Sequence, residues 1–145
     1  MSSVHFSSTR NDWETPAAFF AEVSRDYGPF NLDVCATTEN AKCNIFLTPE
    51  QDGLKMLWFG VCWMNPPYGR EISKWMGKAV KEAVEGNVVR VVCLVPARTD
   101  TAWWHDFVVP YGRVKFLRGR LKFEGAKNCA PFPSALVIFE GWKRI

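Results

Sequence analysis

The stretch that decides the fold is VVRVVCLV, residues Val88–Val95, in which every residue except Arg90 is apolar and five are valine. A short apolar run this rich in β-branched side chains is typical of a strand covered on both faces in a parallel sheet. The preceding segment, Glu71–Glu85, repeats apolar residues at helical spacing and is followed by Gly86, which suits the C-cap of a helix. A helix that leads into such a strand indicates the α/β class.

The alternation of helices and strands continues before and after this unit. Phe59–Met64 is an apolar strand that must end at the prolines after Asn65, since proline cannot donate to a ladder. Thr15–Asp26 carries apolar residues on one helical face, with Thr15 suited to cap the helix and Pro16 to its first position. We therefore predict an α/β fold with a mostly parallel sheet and helices on both faces. Further predicted strands are Phe30–Ala36, Asn44–Leu47, Gly112–Leu117 and Ser134–Glu140, and a further predicted helix is Thr101–Val108.

A length of 145 residues leaves room for one domain. We expect a flexible arm over residues 1–11 and a single domain over 12–145, because no repeat or linker-like change in composition divides the chain. The longest apolar run is far shorter than the roughly 20 residues that span a bilayer, so no membrane partner is expected. The polar first residues contain no apolar core of a secretory signal, which predicts a cytoplasmic location.

The cysteines form an odd set without CxxC spacing, and most of them lie in apolar or strand-like surroundings. This pattern favours reduced, mostly buried thiols and no bound metal over a disulfide framework or a metal site. The five are Cys35, Cys43, Cys62, Cys93 and Cys129.

Positive charge is concentrated near the carboxyl end of the chain. Residues 110–145 contain eight of the 18 Lys and Arg residues but two of the 15 Asp and Glu residues. Within residues 113–127 the basic side chains are interleaved with Phe116 and Phe123, a mixture that suits a polyanion with stackable bases. The same composition also suits the solvated face of an edge hairpin, and this feature taken alone favours the hairpin.

Three predicted strands end in residues with polar side chains. Asp33 lies toward the end of Phe30–Ala36, Asn65 follows Phe59–Met64, and Arg98 lies in the loop after Val88–Val95. In parallel α/β sheets, ligands bind in the crevice outside the carboxyl ends of the strands. We therefore expect the functional site at this edge of the sheet.

The sharpest chemical feature is the turn Asn65-Pro66-Pro67-Tyr68, between a predicted strand and a predicted helix. Two consecutive prolines stiffen the turn, so the Asn65 carboxamide and the Pro66 carbonyl can converge as two acceptors beside the Tyr68 ring. Such a set can hold a planar ring that bears an amine and direct the amine lone pair at an electrophilic methyl group. A proline-rich linker is the plain alternative, but the flanking strand and helix argue against it.

A strand followed by Asn-Pro-Pro-Tyr resembles motif IV of amino methyltransferases that use S-adenosylmethionine. An ordered set of segments resembles the compact phage and prophage DNA N-6-adenine methyltransferase family, over roughly Asp12–Glu140. The turn alone is shared with enzymes that act on RNA guanine and on protein glutamine, so the ordered set is what points to DNA adenine. The segments are Asp12-Trp13-Glu14-Thr15-Pro16, Leu32-Asp33-Val34-Cys35-Ala36, Glu39-Asn40-Ala41-Lys42-Cys43, Asp52-Gly53-Leu54 and Asn65-Pro66-Pro67-Tyr68-Gly69.

The resemblance implies a Rossmann-like class I methyltransferase fold, compact and without a separate target-recognition domain, with S-adenosylmethionine as cofactor. It implies that Thr15 and Pro16 contact the methionine carboxylate of the cofactor and that Asp33 meets its ammonium group. A capping threonine and a capping aspartate are the structural alternatives. A glycine-rich loop is missing after Asp33, so Cys35 and its small neighbours must let the cofactor approach.

Two acids precede the Asn-Pro-Pro-Tyr turn. Asp52 resembles the acid that accepts a hydrogen bond from the adenine amine of the cofactor, and Glu50 is its competitor or the ribose ligand. Acidic residues are also common in turns for solubility alone.

The implied substrate is adenine in double-stranded DNA, extruded from the duplex because a stacked base cannot present its amine to a pocket. Asn65, Pro66, Pro67 and Tyr68 would hold the base, and Phe123 is a candidate second stacking partner or a buried hairpin aromatic. The candidate phosphate ligands are Arg98, Arg118, Arg120 and Lys122.

The alternatives are an RNA or protein amine methyltransferase with the same turn, and a noncatalytic nucleic-acid-binding module. Because a recognition domain does not fit the length, sequence specificity must come from short loops, from the basic segment, or from a second subunit in a homodimer. A phage-encoded enzyme of this kind would act in the bacterial cytoplasm, in restriction and modification or in regulation.

Overall fold

The computed structural model describes residues 13–142, so the predicted arm over residues 1–11 lies outside the described residues. The helices are α1 (Ala17–Tyr27), α2 (Ile72–Val84) and α3 (Val109–Tyr111), the last preceded by a π-helical segment, Trp104–Val108. The strands are β1 (Leu32–Asp33), β2 (Gly60–Met64), β3 (Val88–Pro96), β4 (Arg113–Phe116) and β5 (Ser134–Glu140).

The five strands form a sheet in the order β1-β2-β3-β5-β4. β2 runs parallel to both β1 and β3, whereas β5 runs antiparallel to both β3 and β4. The predicted α/β class is confirmed, but the predicted mostly parallel sheet is not, because the sheet is mixed. The apolar pattern of β5 reports that it is buried and carries no information about its direction.

β3 occupies the centre of the sheet and of the core. Its residues Val91–Val95 are fully buried. On β2, the ring of Trp63 packs against Phe20 of α1, with ring centroids 5.1 Å apart. Burial raises the pKa of the neighbouring Cys62 thiol to about 12, with a further rise from the carboxylate of Glu82 on α2. Because successive strand residues point to opposite faces, α1 and α2 lie on opposite sides of the sheet.

The helix and strands around β3 agree with their sequence pattern. Helix α2 matches the prediction to one residue at each end, and Gly86 follows it with a φ of 76°, which suits glycine. The predicted helix Thr101–Val108 contains the π-helical segment and continues into α3. A Cβ atom on Gly77 of α2 would lie 3.1 Å from the ring of Phe107, so this glycine allows the two helical segments to approach closely.

The segment between β1 and β2 contains less regular structure than predicted. Of the predicted strand Phe30–Ala36 only β1 forms, and Asn44–Leu47 contributes a single bridge to Asp33. After β1 the chain turns around the Asp33 carboxylate, which accepts hydrogen bonds from the backbone N–H groups of Cys35 and Lys42. The Cys35 N–H is therefore bonded to a side chain and is not available to a sheet ladder, and regular pairing ends at Asp33.

A buried carboxylate fastens the segment before β2 to α2. Glu82 accepts hydrogen bonds from the Trp58 backbone N–H, at 2.6 Å, and from Asn87 Nδ2, at 3.1 Å, and its carboxylate lies 3.6 Å from Lys78 Nζ. Trp58 Nε1 in turn donates to the Gly53 carbonyl at 2.9 Å. A polar group this deeply buried must keep its partners, so these bonds determine how the segment lies against the helix.

The five cysteines are free, but burial is less general among them than predicted. Cys62 and Cys93 are buried, Cys35 and Cys43 are half-buried, and Cys129 is exposed. Within residues 13–142, no helix is long and apolar enough to cross a bilayer.

Replacement of Glu82 by Ala should lower the free energy of unfolding by about 3 kcal/mol, because it leaves the Trp58 N–H buried without its acceptor and the half-buried Lys78 ammonium without its carboxylate partner. Denaturant unfolding followed by circular dichroism measures the change. Glu85→Ala, at the exposed end of α2, is the matched control and should shift stability by less than about 1 kcal/mol. Equal losses in the two variants would contradict a special role for Glu82.

Candidate active site

A cavity of about 290 Å³ opens at the carboxyl ends of β1 and β2, the edge predicted from the sequence. Six of the predicted site residues line it: Thr15, Asp33, Cys35, Asn65, Pro66 and Pro67. The other lining residues are Trp13, Glu14, Ala36, Thr37, Asn40, Lys42, Pro49 and Trp63. The structure therefore brings the segment before α1, the turn after β1 and the Asn-Pro-Pro turn together around one space.

The Asn65 carboxamide is held in one orientation. Its Nδ2 donates to the backbone carbonyl of Trp13 and to Thr15 Oγ1, the latter at 3.0 Å. A carbonyl oxygen can only accept, so the nitrogen and not the oxygen of the amide must face Trp13. Asn65 Oδ1 is buried and has no hydrogen-bond partner among the described residues. The atom left to accept a hydrogen bond is thus the one that the amine-binding prediction requires.

Thr15 does not cap α1, contrary to the prediction. The N-cap residue is Pro16, with no side-chain cap, and the first helical residue is Ala17. Ala17 N donates to the Glu124 carboxylate at 3.0 Å, so a residue distant in sequence supplies the acceptor that Thr15 was expected to supply. Pro16 is not among the residues that line the cavity.

Asp33 presents a buried carboxylate to the cavity. The residue is 2% exposed, and its oxygens accept from Cys35 N at 3.2 Å and from Lys42 N at 3.0 Å. Burial raises the pKa of this carboxyl to about 6, and the two backbone donors oppose the rise. The turn after β1 therefore holds this acid at the cavity by two backbone hydrogen bonds.

Cys35 lines the cavity as a neutral thiol. Burial, followed by the neighbouring Asp33 carboxylate, raises its pKa to about 12. A thiol in this state is a weak nucleophile, so Cys35 can shape the cavity without reacting.

Glu50 and Asp52 lie outside the residues that line the cavity. Asp52 adopts a left-handed conformation with a φ of 58°, and its Oδ1 accepts from Leu54 N at 3.1 Å. Its Oδ2 lies 3.9 Å from Lys55 Nζ. Glu50 is exposed, and the residue of this segment that reaches the cavity is Pro49.

Tyr68 is buried beside the cavity instead of forming part of its wall. Its hydroxyl donates to the Leu94 carbonyl at 3.2 Å, and burial raises its pKa well above the usual range. Its ring centroid lies 5.6 Å from that of Phe132 and 6.5 Å from those of both Trp13 and Phe123. We call these four rings, Trp13, Tyr68, Phe123 and Phe132, the aromatic cluster. Phe123 is itself 1% exposed, which agrees with a buried hairpin aromatic.

The predicted phosphate ligands are on the surface. Arg118, Arg120 and Lys122 are exposed, and none of them pairs with a carboxylate of residues 13–142. Arg98 is also exposed, with its guanidinium 5.8 Å from the ring centre of Phe132 in the aromatic cluster. Arg113, by contrast, is paired with Glu140 at 2.6 Å.

Sequence reasoning assigned no role to Trp13 or to Glu124. Trp13 belongs to the Asp12–Pro16 motif, and its carbonyl accepts a hydrogen bond from Asn65. Glu124 gave no signal, because its contact with Ala17 spans 107 residues. No group of three His, Cys, Asp or Glu residues in the described part of the chain is arranged to hold a metal ion.

Comparisons with known proteins found a matching family model and several similar proteins. Residues 2–144 match the family model described as DNA N-6-adenine-methyltransferase (Dam). A DNA N-6-adenine-methyltransferase of Haemophilus phage HP1 (strain HP1c1) is 32% identical over 143 residues, which is 92% of this chain and 80% of the phage protein. One of Escherichia phage T1 is 34% identical over 100 residues, 67% of this chain and 40% of the relative. A putative methyltransferase, YfdM, of Escherichia coli K12 is 34% identical over 65 residues, 40% of this chain and 71% of the relative.

The raised pKa of Asp33 predicts a pH-dependent contribution to stability. Because the pKa is higher in the folded protein than its ordinary value of 3.8, the folded state binds the proton more tightly. The resulting stabilisation is fully present below pH 3.8 and is lost as the pH rises through about 6. From pH 7 to pH 5 the wild type should therefore gain about 1.4 kcal/mol relative to Asp33→Asn. Parallel denaturant titrations at the two pH values measure the difference, and an unchanged difference would contradict the raised pKa.

Proposed function

The chain belongs to the DNA N-6-adenine-methyltransferase (Dam) family, the adenine-specific DNA methyltransferases, and we propose that it transfers the methyl group of S-adenosylmethionine to the N6 amine of adenine at the Asn65 turn. The observation that carries this proposal is the fixed Asn65 carboxamide. Its nitrogen is occupied by Trp13 and Thr15, and its buried Oδ1 is left to accept a hydrogen bond.

Methyl transfer to an aromatic amine needs positioning more than a strong base. The lone pair of such an amine is delocalised, and a hydrogen bond from the amine to Asn65 Oδ1 directs the lone pair away from the ring plane. The same oxygen stabilises the positive charge that grows on the amine nitrogen. Pro66 and Pro67 restrict the turn, which lowers the entropy cost of holding this acceptor in place.

The cavity suits S-adenosylmethionine by the chemistry of its lining. The buried Asp33 carboxylate is a partner for the methionine ammonium, and the neutral Cys35 thiol completes the wall beside it. When bound, the cofactor supplies the electrophilic methyl group. The proposed contacts for the other parts of the cofactor are Pro16 for its carboxylate, Glu50 for its ribose and Asp52 for its adenine. Each of these residues lies within three positions of a residue that lines the cavity.

The proposed target base is an adenine extruded from double-stranded DNA. The Tyr68 ring lies in the aromatic cluster, so stacking on an extruded base requires the rings around it to move apart. Arg98, next to Phe132, and the exposed Arg118, Arg120 and Lys122 would bind backbone phosphates. We also propose a homodimer, in which the second subunit would contribute to the recognition of the DNA sequence. The proposed place of action is the bacterial cytoplasm.

Incubation with tritiated S-adenosylmethionine and unmethylated DNA should place the label in N6-methyldeoxyadenosine. Asn65→Ala should abolish this transfer and leave the affinity for S-adenosylhomocysteine, measured by calorimetry, within several-fold of the wild-type value. Label in RNA or protein would favour the other amine methyltransferases. A wild-type protein that binds neither form of the cofactor would favour the noncatalytic module. Near-normal transfer by the variant would remove Asn65 from the reaction.

Replacing Arg118, Arg120 and Lys122 together by Ala should weaken DNA binding and reduce its dependence on salt. Each lost phosphate contact lowers the slope of log K against log salt by about 0.9, so the triple variant should lose two to three units of slope. The control is Arg25→Ala/Lys74→Ala/Lys81→Ala, which removes the same charge from exposed positions on α1 and α2. Equal losses of slope in the two triple variants would indicate a nonspecific effect of net charge.

A further inference from the structure

The Thr15 side chain is almost fully buried, at 1% exposure, and its hydroxyl does not serve the helix that follows. Its Oγ1 lies 3.0 Å from Asn65 Nδ2 and accepts a hydrogen bond from it. Burying a hydroxyl is unfavourable unless it is hydrogen-bonded. The contact is therefore the feature that rationalises a threonine at this position, and it joins two residues that are 50 positions apart in the chain.

The orientation of the Asn65 amide decides whether it can bind an amine. A carboxamide carries two N–H donors at one end and an acceptor oxygen at the other, and the two ends are nearly the same size. A rotation of 180° would present the NH₂ group to the substrate amine, so that donors face donors. The Trp13 carbonyl can only accept, so it determines which end of the amide faces it, and Thr15 Oγ1 accepts from the same nitrogen and so holds the amide in that orientation.

We propose that Thr15 is a positioning residue, whose hydroxyl locks the Asn65 carboxamide with Oδ1 toward the reacting amine. The proposal rests on the function proposed above, since it assigns Asn65 Oδ1 as the acceptor for the adenine amine. It differs from a role of Thr15 in holding the cofactor. The Thr15 side chain acts through Asn65, and the loss of the hydroxyl lowers turnover without changing cofactor affinity.

The segment that carries Thr15 is itself held by hydrogen bonds to Glu124. Glu124 N donates to the Glu14 carbonyl at 3.0 Å, and the Glu124 carboxylate accepts from Ala17 N at 3.0 Å. Both neighbours of the Thr15–Pro16 unit are thus tied to the same residue of the basic segment. Because hydrogen bonds hold the backbone on both sides of Thr15, its hydroxyl stays in a fixed position relative to the Asn65 amide.

Thr15→Val, Thr15→Ala and Thr15→Ser test the proposal through kinetics. Val keeps the shape of Thr and removes the acceptor, so kcat should fall at least tenfold, while KM for S-adenosylmethionine stays within about twofold. Ala should cause a similar loss, which provides the measurement if the Val variant folds poorly. Ser restores the hydroxyl and should return kcat to within threefold of wild type. Full kcat in the Val and Ala variants, failure of Ser to rescue, or a loss confined to KM would overturn the proposal.

The NMR signals of the Asn65 side-chain NH₂ group provide a readout that is independent of activity. In protein with ¹⁵N-labelled asparagine, the exchange of these protons with water should be at least tenfold faster in Thr15→Val than in the wild type and should remain slow in Thr15→Ser. Unchanged exchange in the Val variant would overturn the locking role even if the enzyme is active. A wild-type protein that methylates no DNA but shows this pattern would overturn the proposed function and leave the contact established.

Discussion

The burial of β3 on both faces is the constraint on which the rest of the structure depends. Val91–Val95 are fully enclosed, with β2 hydrogen-bonded along one side and β5 along the other. A central stretch of strand without exposed side chains requires covering layers on both sides, and α1 and α2 provide them on opposite faces. The parallel pairing of β1, β2 and β3 brings the carboxyl ends of all three to one edge, and the cavity forms at that edge because the loops must diverge there.

Around the cavity, hydrogen bonds between distant segments replace regular structure. Asn65 is fixed by Trp13 and Thr15, and Glu124 fastens the segment that contains them. The basic segment is therefore bonded to Glu14 and Ala17, the chain neighbours of the residues that orient the amide.

Local pattern predicted much of the fold and part of the site. Helix α2 and strands β3 and β5 were predicted to within one residue, because their burial leaves strong periodicity or long apolar runs. The lining residues Asp33 and Asn65 were predicted from their place at strand ends. Glu50 and Asp52 were expected in the site but lie outside the cavity lining, since the backbone conformation of Asp52 and the bonds of its carboxylate direct it elsewhere. Tyr68 was expected beside the base, and its burial in the aromatic cluster depends on rings from three separate segments.

The sequence by itself determined the α/β class, the position of the Asn-Pro-Pro-Tyr turn after a strand, and the carboxylate at the end of β1. These properties depend on residue types within a few positions of one another, where spacing and backbone stiffness decide the outcome. The tertiary structure alone decided that β5 inserts antiparallel between β3 and β4 and that Thr15 bonds to Asn65 instead of capping α1. It also decided that Glu124 caps that helix. Each of these pairs groups far apart in the chain, and only the folded packing selects which of the available partners satisfies a buried donor or acceptor.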